Sequence, residues 1–169
     1  MDAALELFHK HSVDKITVQD IIDKASVSRS TFYKYFYDKY DVITVYCEDA
    51  TKEIVDSLSG HPWEEVYIAQ NKFVYENLPL FQVMFQKDAT GALSRFMAKN
   101  NYQQIMDAYL AGSKVDAPPE EITIALTFTI SGLEEIIRNW VLHGAPDDAI
   151  QFSKMSFGFI PEILRKYLV

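Results

Sequence analysis

Two short helical segments separated by a three-residue break constrain this chain more than any other feature. The first segment starts after Thr17 and carries apolar residues at the helical spacing i, i+3, i+4 and i+7, namely Val18, Ile21, Ile22 and Ala25. The break Ser26-Val27-Ser28 follows. The hydroxyl of Ser28 is suited to cap a second helix that runs through Phe36. The pattern therefore predicts two short helices joined by a tight turn.

The second of these helices divides its side chains between two faces. On a helical projection, Phe32 and Phe36 lie one turn apart and point toward the preceding helices. The opposite side is polar and cationic, and its residues are Arg29, Ser30, Thr31, Tyr33, Lys34 and Tyr35. A helix-turn-helix unit inserts its second helix into the major groove, where such side chains contact base edges and phosphates. Arg29 suits a bidentate contact to guanine, and Lys34 suits a phosphate contact.

The distribution of charge along the chain is compatible with DNA binding, although the net charge is not. The net charge of −8 opposes binding to a polyanion. Residues 1–40, however, hold six basic and six acidic residues, so the remainder carries the whole excess. Between residues 24 and 39, four basic residues face one acidic residue. We expect a small positive patch on an otherwise acidic protein.

The rest of the chain has helical periodicity, few glycines and no long alternating runs, which predicts an all-α protein. A first helix is expected over residues 2–11. Later helices are expected near 39–58, 62–77, 79–87, 91–111, 119–143 and 147–168. Pro161 should kink the last of these, because a proline inside a helix removes a hydrogen bond and clashes with the preceding turn.

The stretch "ITVQDIIDKASVSRSTFYKYFYDKYDVI", residues 16–43, resembles the DNA-binding signature of the TetR/AcrR family of bacterial transcription regulators. The resemblance implies an N-terminal three-helix helix-turn-helix DNA-binding domain over residues 1–40. It further implies a larger C-terminal helical domain over residues 41–169 for ligand binding and dimerisation. The positions that match family contacts to DNA are Thr17, Ser28, Arg29, Ser30, Thr31, Tyr33, Lys34, Tyr35 and Lys39.

The chain departs from the family pattern at three places. Ser26 and Ser30 stand where relatives usually have glycine. Family members also commonly carry a longer basic arm before the first helix, whereas this chain starts almost inside that helix. Serine is small enough for the fold at both positions, but the DNA bases that this chain prefers can differ from those that its relatives prefer.

Aromatic rings in the middle helices suggest where an effector would bind. The residues predicted to line such a pocket are Phe81, Phe85, Phe96, Tyr102 and Phe128. Rings and hydroxyls of this kind can enclose a planar or apolar ligand. Rings at helical spacing are also common in ordinary cores, and that alternative stays open.

The last two long helices are predicted to form a dimer interface. Their long apolar stripes include Ile130, Leu133, Ile137, Trp140, Phe152, Met155, Phe159 and Ile163. The alternative is that both helices only close the core of one protomer. A two-fold dimer would present its recognition helices about 34–36 Å apart, which implies a palindromic operator of double-stranded DNA.

Enzymatic and metal chemistry find little support. Adjacent acidic pairs such as Glu134-Glu135 diverge on a helix, and His9 and His11 have the wrong spacing for a shared metal. Cys47 is the only cysteine, so the chain has no internal disulfide. We expect no enzyme activity, cofactor, metal or membrane partner, and a cytoplasmic location.

The sequence therefore predicts a dimeric DNA-binding regulator, most simply a repressor that a small-molecule effector releases from its operator. Two alternatives remain. In one, DNA binding is kept but a protein partner docks on the C-terminal domain and controls it. In the other, the chain is a helical interaction module without DNA binding.

Overall fold

The computed structural model describes residues 1–87 and 92–168. All of the regular secondary structure in these residues is helical, which confirms the prediction of an all-α protein. The elements in chain order are α1 (Asp2–Lys10), a 3₁₀ turn (Val13–Lys15), α2 (Val18–Ala25), α3 (Arg29–Tyr35), α4 (Lys39–Ser57), α5 (Trp63–Glu76), α6 (Leu78–Lys87), α7 (Ala92–Ser113), α8 (Glu120–Leu142), α9 (Ala149–Phe157) and α10 (Glu162–Arg165). The predicted start of a helix at residue 91 lies outside the described residues.

The chain forms two compact units, residues Met1–Glu53 and Ile54–Val169. The division falls inside α4, whereas the boundary predicted at residues 40–41 lies at the start of that helix. Val42, Ile43 and Cys47 on the first half of α4 are all buried. Their burial, together with that of the α1, α2 and α3 residues, explains why this half belongs to the N-terminal unit.

The N-terminal unit has a small core that the amphipathic pattern predicts well. Its buried residues are Ala4, Phe8, Val13, Ile16, Ile21, Ile22, Phe32, Val42, Ile43 and Cys47. Removing a large apolar side chain of this kind from water contributes about 1.5–3 kcal/mol. An exposed ion pair between Lys24 and Glu6, 2.9 Å long, also joins α2 to α1. The lysine lowers the pKa of the Glu6 carboxyl through its hydrogen bond and its charge.

The C-terminal unit is built on two helix pairs, α5 against α9 and α7 against α8, with α6 also packing on α8. Small residues permit the close approach of α9 to α5, because Ser153 and Ser156 are completely buried. The Tyr67 hydroxyl lies 3.0 Å from the Ser156 hydroxyl across this seam. Trp140 on α8 stacks on Phe152 of α9 at 4.2 Å between ring centroids.

The end of the chain differs from the single kinked helix predicted over residues 147–168. Helix α9 ends at Phe157, and the short α10 begins after Pro161. Because proline has no N–H to donate and restricts the residue before it, Pro161 starts a new helix rather than bending the old one. Within the described ranges, no helix is both long enough and apolar enough to cross a membrane.

Candidate nucleic-acid interface

Helix α2 begins at a reciprocal cap between Thr17 and Asp20. The Asp20 amide donates to Thr17 Oγ1 at 3.2 Å, and the Thr17 amide donates to Asp20 Oδ2 at 2.8 Å. The bond from the Thr17 amide and a further one from the Thr17 hydroxyl to Asp20 Oδ2, at 2.7 Å, lower the pKa of the Asp20 carboxyl. Such a capping box satisfies two backbone donors that the first helical turn leaves unpaired. Thr17, predicted to cap α2 and to match a DNA contact, therefore has a local structural role.

The turn after α2 requires a left-handed backbone at Ser26. Its φ and ψ are 53° and 40°. The amide of Ser26 donates to the Asp23 carbonyl, and the amide of Val27 donates to the Ile22 carbonyl, both at 3.2 Å. This conformation favours glycine over residues with a side chain, which costs about 1–2 kcal/mol in this region. The turn sets where α3 begins relative to α2.

Three hydroxyl groups meet at the first turn of α3. Ser28 Oγ accepts from the Thr31 amide at 3.0 Å and so caps the helix as the sequence predicts. The same oxygen lies 2.8 Å from Ser30 Oγ and 2.8 Å from Thr31 Oγ1. All three side chains are exposed. The cluster thus presents prearranged hydroxyl donors and acceptors to solvent.

Phe32 packs α3 against the core of the N-terminal unit, and the opposite face of the helix is exposed to solvent. Its ring is 4% exposed and lies 5.6 Å from the ring of Phe36, between centroids. Tyr33 and Tyr35, in contrast, are 49% and 65% exposed. Exposed rings of this size with hydroxyl tips are suited to a polar partner. The predicted division of aromatic residues between an inner and an outer face is present.

The two cations on this outer face lie beside the exposed tyrosines. The Arg29 guanidinium carbon is 5.9 Å from the centre of the Tyr33 ring. The Lys34 ammonium is 5.4 Å from the centre of the Tyr35 ring. Contacts of this kind restrict a flexible cation at modest energy. The arrangement places positive charge and phenolic hydroxyls side by side along α3.

The positive patch is smaller than the sequence count implies. Lys24 forms an ion pair with Glu6, and the Lys39 ammonium is hydrogen-bonded to backbone carbonyls of the N-terminal unit. The Lys39 ammonium donates to the carbonyl oxygens of Val13 and Ile16, each at 2.7 Å, and more weakly to that of Asp14 at 3.3 Å. A phosphate contact by Lys39 would compete with these bonds. Arg29 and Lys34 therefore supply most of the outward charge.

Tyr37 is an exposed residue that sequence reasoning passed over. It follows α3 and is 85% exposed, more than any other large hydrophobic residue in the described ranges. Its amide donates to the Asp41 carboxylate at 2.8 Å, which holds its backbone at the start of α4. The signal in the sequence was its position directly after the inward-facing Phe36. It extends the exposed aromatic surface beyond α3.

This geometry agrees with what comparison with known proteins finds. A family model described as bacterial regulatory proteins, tetR family, matches residues 1–44. A second model, described as a transcriptional regulator C-terminal region, matches residues 61–161. The chain belongs to the TetR family. Proteins of this family are transcription regulators with a helix-turn-helix, not enzymes.

Individual relatives support the same assignment. The HTH-type transcriptional regulator YxbF of Bacillus subtilis is 29% identical over 130 residues, which is 71% of this chain and 33% of YxbF. The chain spans 31–45% of the length of the curated relatives it matches. Among solved structures, the dihydroxyacetone kinase operon activator DhaS has a TM-score of 0.73 at 16% identity, covering 99% of this chain and 95% of DhaS. The fatty acid degradation regulator FadR from Bacillus halodurans has a TM-score of 0.56 at 18% identity, covering 97% and 93%.

The predicted pocket residues of this TetR-family chain occupy different environments. Phe81 and Phe85 are buried in the C-terminal unit, with ring centroids 6.4 Å apart. Phe96 and Tyr102 on α7 are partly buried. Phe128, in contrast, is 77% exposed and lines two surface depressions of α8. Phe128 thus lies at the surface of the protomer, on a side of α8 that none of the described helices covers, and its role in an effector pocket stays a prediction.

The residues predicted for a dimer interface also divide into two sets. Five are buried inside the protomer and face its core: Ile130, Leu133, Ile137, Trp140 and Phe152. Ile163 is partly buried. Met155 and Phe159 are 52% and 68% exposed. The four on α8 belong to the side of that helix that packs on α6, α7 and α10, and Phe152 of α9 stacks on Trp140. A surface for a second copy would therefore have to use the other face of α8.

That other face is apolar and open. Ile124 is 62% exposed and lies one helical turn before Phe128. Phe128 and Phe159 line a common depression together with Gly132 and Ile136. A Cβ atom added at Gly132 would meet no atom within 4 Å, so this part of the helix surface is uncovered. We call the surface formed by Ile124, Phe128 and Phe159 the outer apolar face.

One carboxyl group of the C-terminal unit is unusual. Burial raises the pKa of the Glu134 carboxyl on α8 to about 7. Its Oε1 atom has no hydrogen-bond partner among the described residues. No group of three or more His, Cys, Asp and Glu side chains able to hold a metal ion occurs in the described part of the chain. The raised pKa of the Glu134 carboxyl links its charge to the stability of the folded chain.

Proposed function

We propose that this chain is a homodimeric repressor that binds a palindromic operator in the bacterial cytoplasm and leaves it when a small molecule binds. The observation that carries the proposal is the outer face of α3. That face combines the exposed side chains of Arg29, Tyr33, Lys34 and Tyr35 on a helix that Phe32 anchors from behind. A rigid helix with this mixture of groups is what major-groove reading requires.

The residues divide into base-reading and phosphate-binding groups. Arg29 lies in the first turn of α3, where its fork of donors can pair with O6 and N7 of guanine. The hydroxyls of Ser30 and Thr31 lie beside it and can contact base edges or phosphates. Tyr33, Lys34 and Tyr35 project from the later turn and suit phosphate oxygens. Thr17, Ser28 and Lys39 serve mainly to hold the helices that present these groups.

The outer apolar face supports the proposed homodimer. Large exposed apolar residues in one place mark an interaction site more often than an inert surface. A two-fold axis at α8 would bring Phe128 and Phe159 of two copies together in an isologous contact. Each copy would then present one α3 to one half-site. The requirement for two half-sites explains why the operator would be palindromic.

A protein partner instead of a small molecule is the second candidate for the regulatory signal. It is favoured by the packing of Phe81, which is 2% exposed and meets Phe73 edge-on at 5.8 Å. Rings packed this closely leave little space for a ligand among them. Thermal denaturation in the presence of a metabolite panel distinguishes the two, because a true effector raises the melting temperature by mass action.

Selection of bound sequences from random duplex DNA tests the central proposal. The native chain is expected to recover a palindrome, and Arg29→Ala is expected to lose the enrichment at one position of each half-site. Lys154→Ala, which removes an exposed cation from α9 in the C-terminal unit, is the matched control and should recover the same palindrome. Recovery of no sequence even at low salt would refute DNA binding and leave the interaction-module alternative.

A further inference from the structure

The three hydroxyl groups at the first turn of α3 form a chain of hydrogen bonds in which Ser28 is the middle member. Ser28 Oγ lies 2.8 Å from Ser30 Oγ and 2.8 Å from Thr31 Oγ1, and it also accepts from the Thr31 amide at 3.0 Å. A serine hydroxyl has one proton to donate and two lone pairs that accept. The amide takes one lone pair, so one proton and one lone pair of Ser28 remain for its two hydroxyl neighbours.

This count fixes how the two outer hydroxyls use their protons. Ser28 can donate to one of them and accept from the other, but with one lone pair left it cannot accept from both. The hydroxyl that donates to Ser28 has used its proton and presents only lone pairs to solvent. The hydroxyl that accepts from Ser28 keeps its own proton free. Ser30 and Thr31 together therefore present one donor and one acceptor.

The coupling removes an ambiguity that a single hydroxyl has. A serine or threonine alone can contact either purine, because its proton turns to suit a donor or an acceptor. In the major groove, adenine presents an acceptor at N7 and a donor at N6, whereas guanine presents two acceptors, N7 and O6. Cytosine presents one donor, and thymine presents one acceptor. A coupled donor and acceptor therefore complement adenine, as the side-chain amides of asparagine and glutamine do.

The two outer hydroxyls lie where they can reach a base. The side chains of Ser28, Ser30 and Thr31 are all exposed. Both outer oxygens are within hydrogen-bond distance of one Ser28 oxygen, so they are close enough to meet neighbouring atoms of a single base edge. Arg29, in the same turn, suits guanine. A glycine at position 30, which the family resemblance leads us to expect, has no hydroxyl and would leave Thr31 uncoupled.

We propose that the hydroxyls of Ser30 and Thr31, coupled through Ser28, select adenine at one position of each half-site. That adenine would lie beside the guanine assigned to Arg29. The hydroxyl with the free proton would donate to N7, and the other would accept from the N6 amino group. Guanine at this position would need two donors, so one bond of the hydroxyl chain would have to break. The inference rests on the proposed function, in which α3 enters the major groove.

Base replacement in the selected operator tests the assignment with the native chain. The palindrome recovered from random duplex DNA is expected to contain an adenine beside the guanine whose enrichment is lost in Arg29→Ala. Replacing this adenine by guanine, with cytosine opposite, should weaken binding at least about fivefold, the lower end of the range for one bidentate base contact. Replacement by 7-deazaadenine, which lacks the N7 acceptor, or by unsubstituted purine, which lacks the N6 amino group, should each weaken binding at least about twofold.

Three variants separate the coupling from the mere presence of hydroxyls. Ser30→Ala and Thr31→Val each remove one reading group and should lower the ratio of adenine to guanine affinity to below about twofold. Ser28→Gly keeps both reading hydroxyls and most of the cap stability, but it removes the oxygen that couples them, so the ratio should fall as far. Ser12→Ala, an exposed serine that makes no side-chain cap bond, is the control and should leave the ratio unchanged.

Salt titration shows whether the variants still seat α3 on the duplex. None of the four changes removes a cation, so the slope of log K against log salt should equal that of the native chain. Loss of the adenine preference in the three cluster variants at an unchanged slope would support the assignment. A palindrome with no adenine beside that guanine, equal affinity for guanine, or a full adenine preference in Ser28→Gly would overturn it and leave the operator proposal standing. Recovery of no sequence would refute DNA binding and this assignment together.

Discussion

Lys39 and Ile16 are joined by a hydrogen bond of 2.7 Å from the lysine ammonium to the backbone carbonyl, although they are 23 residues apart in the chain. A second bond of the same length reaches Val13. Together they fasten the start of α4 to the segment that precedes α2. The lysine that resembles a DNA contact by position is therefore also a structural element of the N-terminal unit.

Replacing Lys39 should consequently lower stability more than it changes electrostatic binding. We expect Lys39→Met to reduce the free energy of unfolding of the N-terminal unit by about 1–3 kcal/mol, the range for charge-assisted hydrogen bonds. Lys15→Met, at an exposed site in the same unit, is the control. Urea denaturation followed by circular dichroism measures the difference.

Salt dependence of operator binding separates the roles of two lysines. Removing a phosphate contact lowers the slope of log K against log salt by about one unit. We expect Lys34→Met to do this and Lys39→Met not to, at a temperature where both are folded. A reduced slope in Lys39→Met with unchanged stability would show that Lys39 binds phosphate instead.

Ser26 and Ser30, the two serines at positions where the family resemblance leads us to expect glycine, should respond oppositely to the same substitution. Ser26 has a left-handed backbone, so Ser26→Gly should stabilise the N-terminal unit by about 0.5–1 kcal/mol. Ser30 lies inside α3 and shares a hydrogen bond with Ser28, so Ser30→Gly should destabilise it by about 0.5–1 kcal/mol. Equilibrium denaturation of both variants measures the signs, and equal signs would contradict this account of the turn.

The outer apolar face should control the oligomeric state. Phe128→Ser should raise the dimer dissociation constant at least tenfold, because a buried ring of this size contributes about 1.5–3 kcal/mol. Protomer stability should change little, since the ring is 77% exposed in one chain. Val115→Ser alters another exposed apolar residue and is the control. Sedimentation velocity reports the state, and a Phe128→Ser variant that remains fully dimeric would place the interface elsewhere.

Stability should depend on pH through Glu134. Burial raises the pKa of its carboxyl from 4.5 to about 7 in the folded chain. Between these values the folded state holds a proton that the unfolded state has lost, so unfolding becomes easier as pH rises and levels off above pH 7. Glu134→Gln stays neutral, and we expect it to be more stable than the native chain by about 1 kcal/mol at pH 8, after allowance for partial solvation, and no different at pH 4.5.

Glu135→Gln removes the same charge from an exposed position on α8 and controls for net charge. Urea unfolding at several pH values between 4.5 and 8 provides the comparison. A constant difference between Glu134→Gln and the native chain across this range would show that the buried carboxyl does not titrate as described.

The helix-turn-helix was predictable because its determinants lie close together in the chain. Thr17 and Ser28 cap helices through bonds that span three residues, and Phe32 is inward because of the period of a single helix. These are local interactions, so they can be recognised from neighbouring residues in the sequence. The family resemblance rests on the same local residues, so both lines of reasoning led to the same surface.

The C-terminal unit was less predictable because α8 is apolar on more than one side. The pattern predicted Leu133 in a dimer interface and Phe128 in an effector pocket, and only the packing of α6, α7 and α10 on α8 decides that Leu133 is buried and Phe128 exposed. The structural role of Lys39 was not predictable for a related reason, since the carbonyl groups that accept its hydrogen bonds lie more than twenty residues earlier in the chain.

By itself, then, the sequence determined the all-α class, the caps and turn of the helix-turn-helix, and the residues that face outward from α3. The tertiary structure alone decided which side of α8 is covered, which cations are engaged internally, and that Trp63, Gln104 and Tyr167 meet around a cavity. The physical reason is the range of the interactions. Caps and helical periodicity act within one or two turns, whereas burial and cavities depend on segments that are far apart in the chain, such as Trp63 and Leu168.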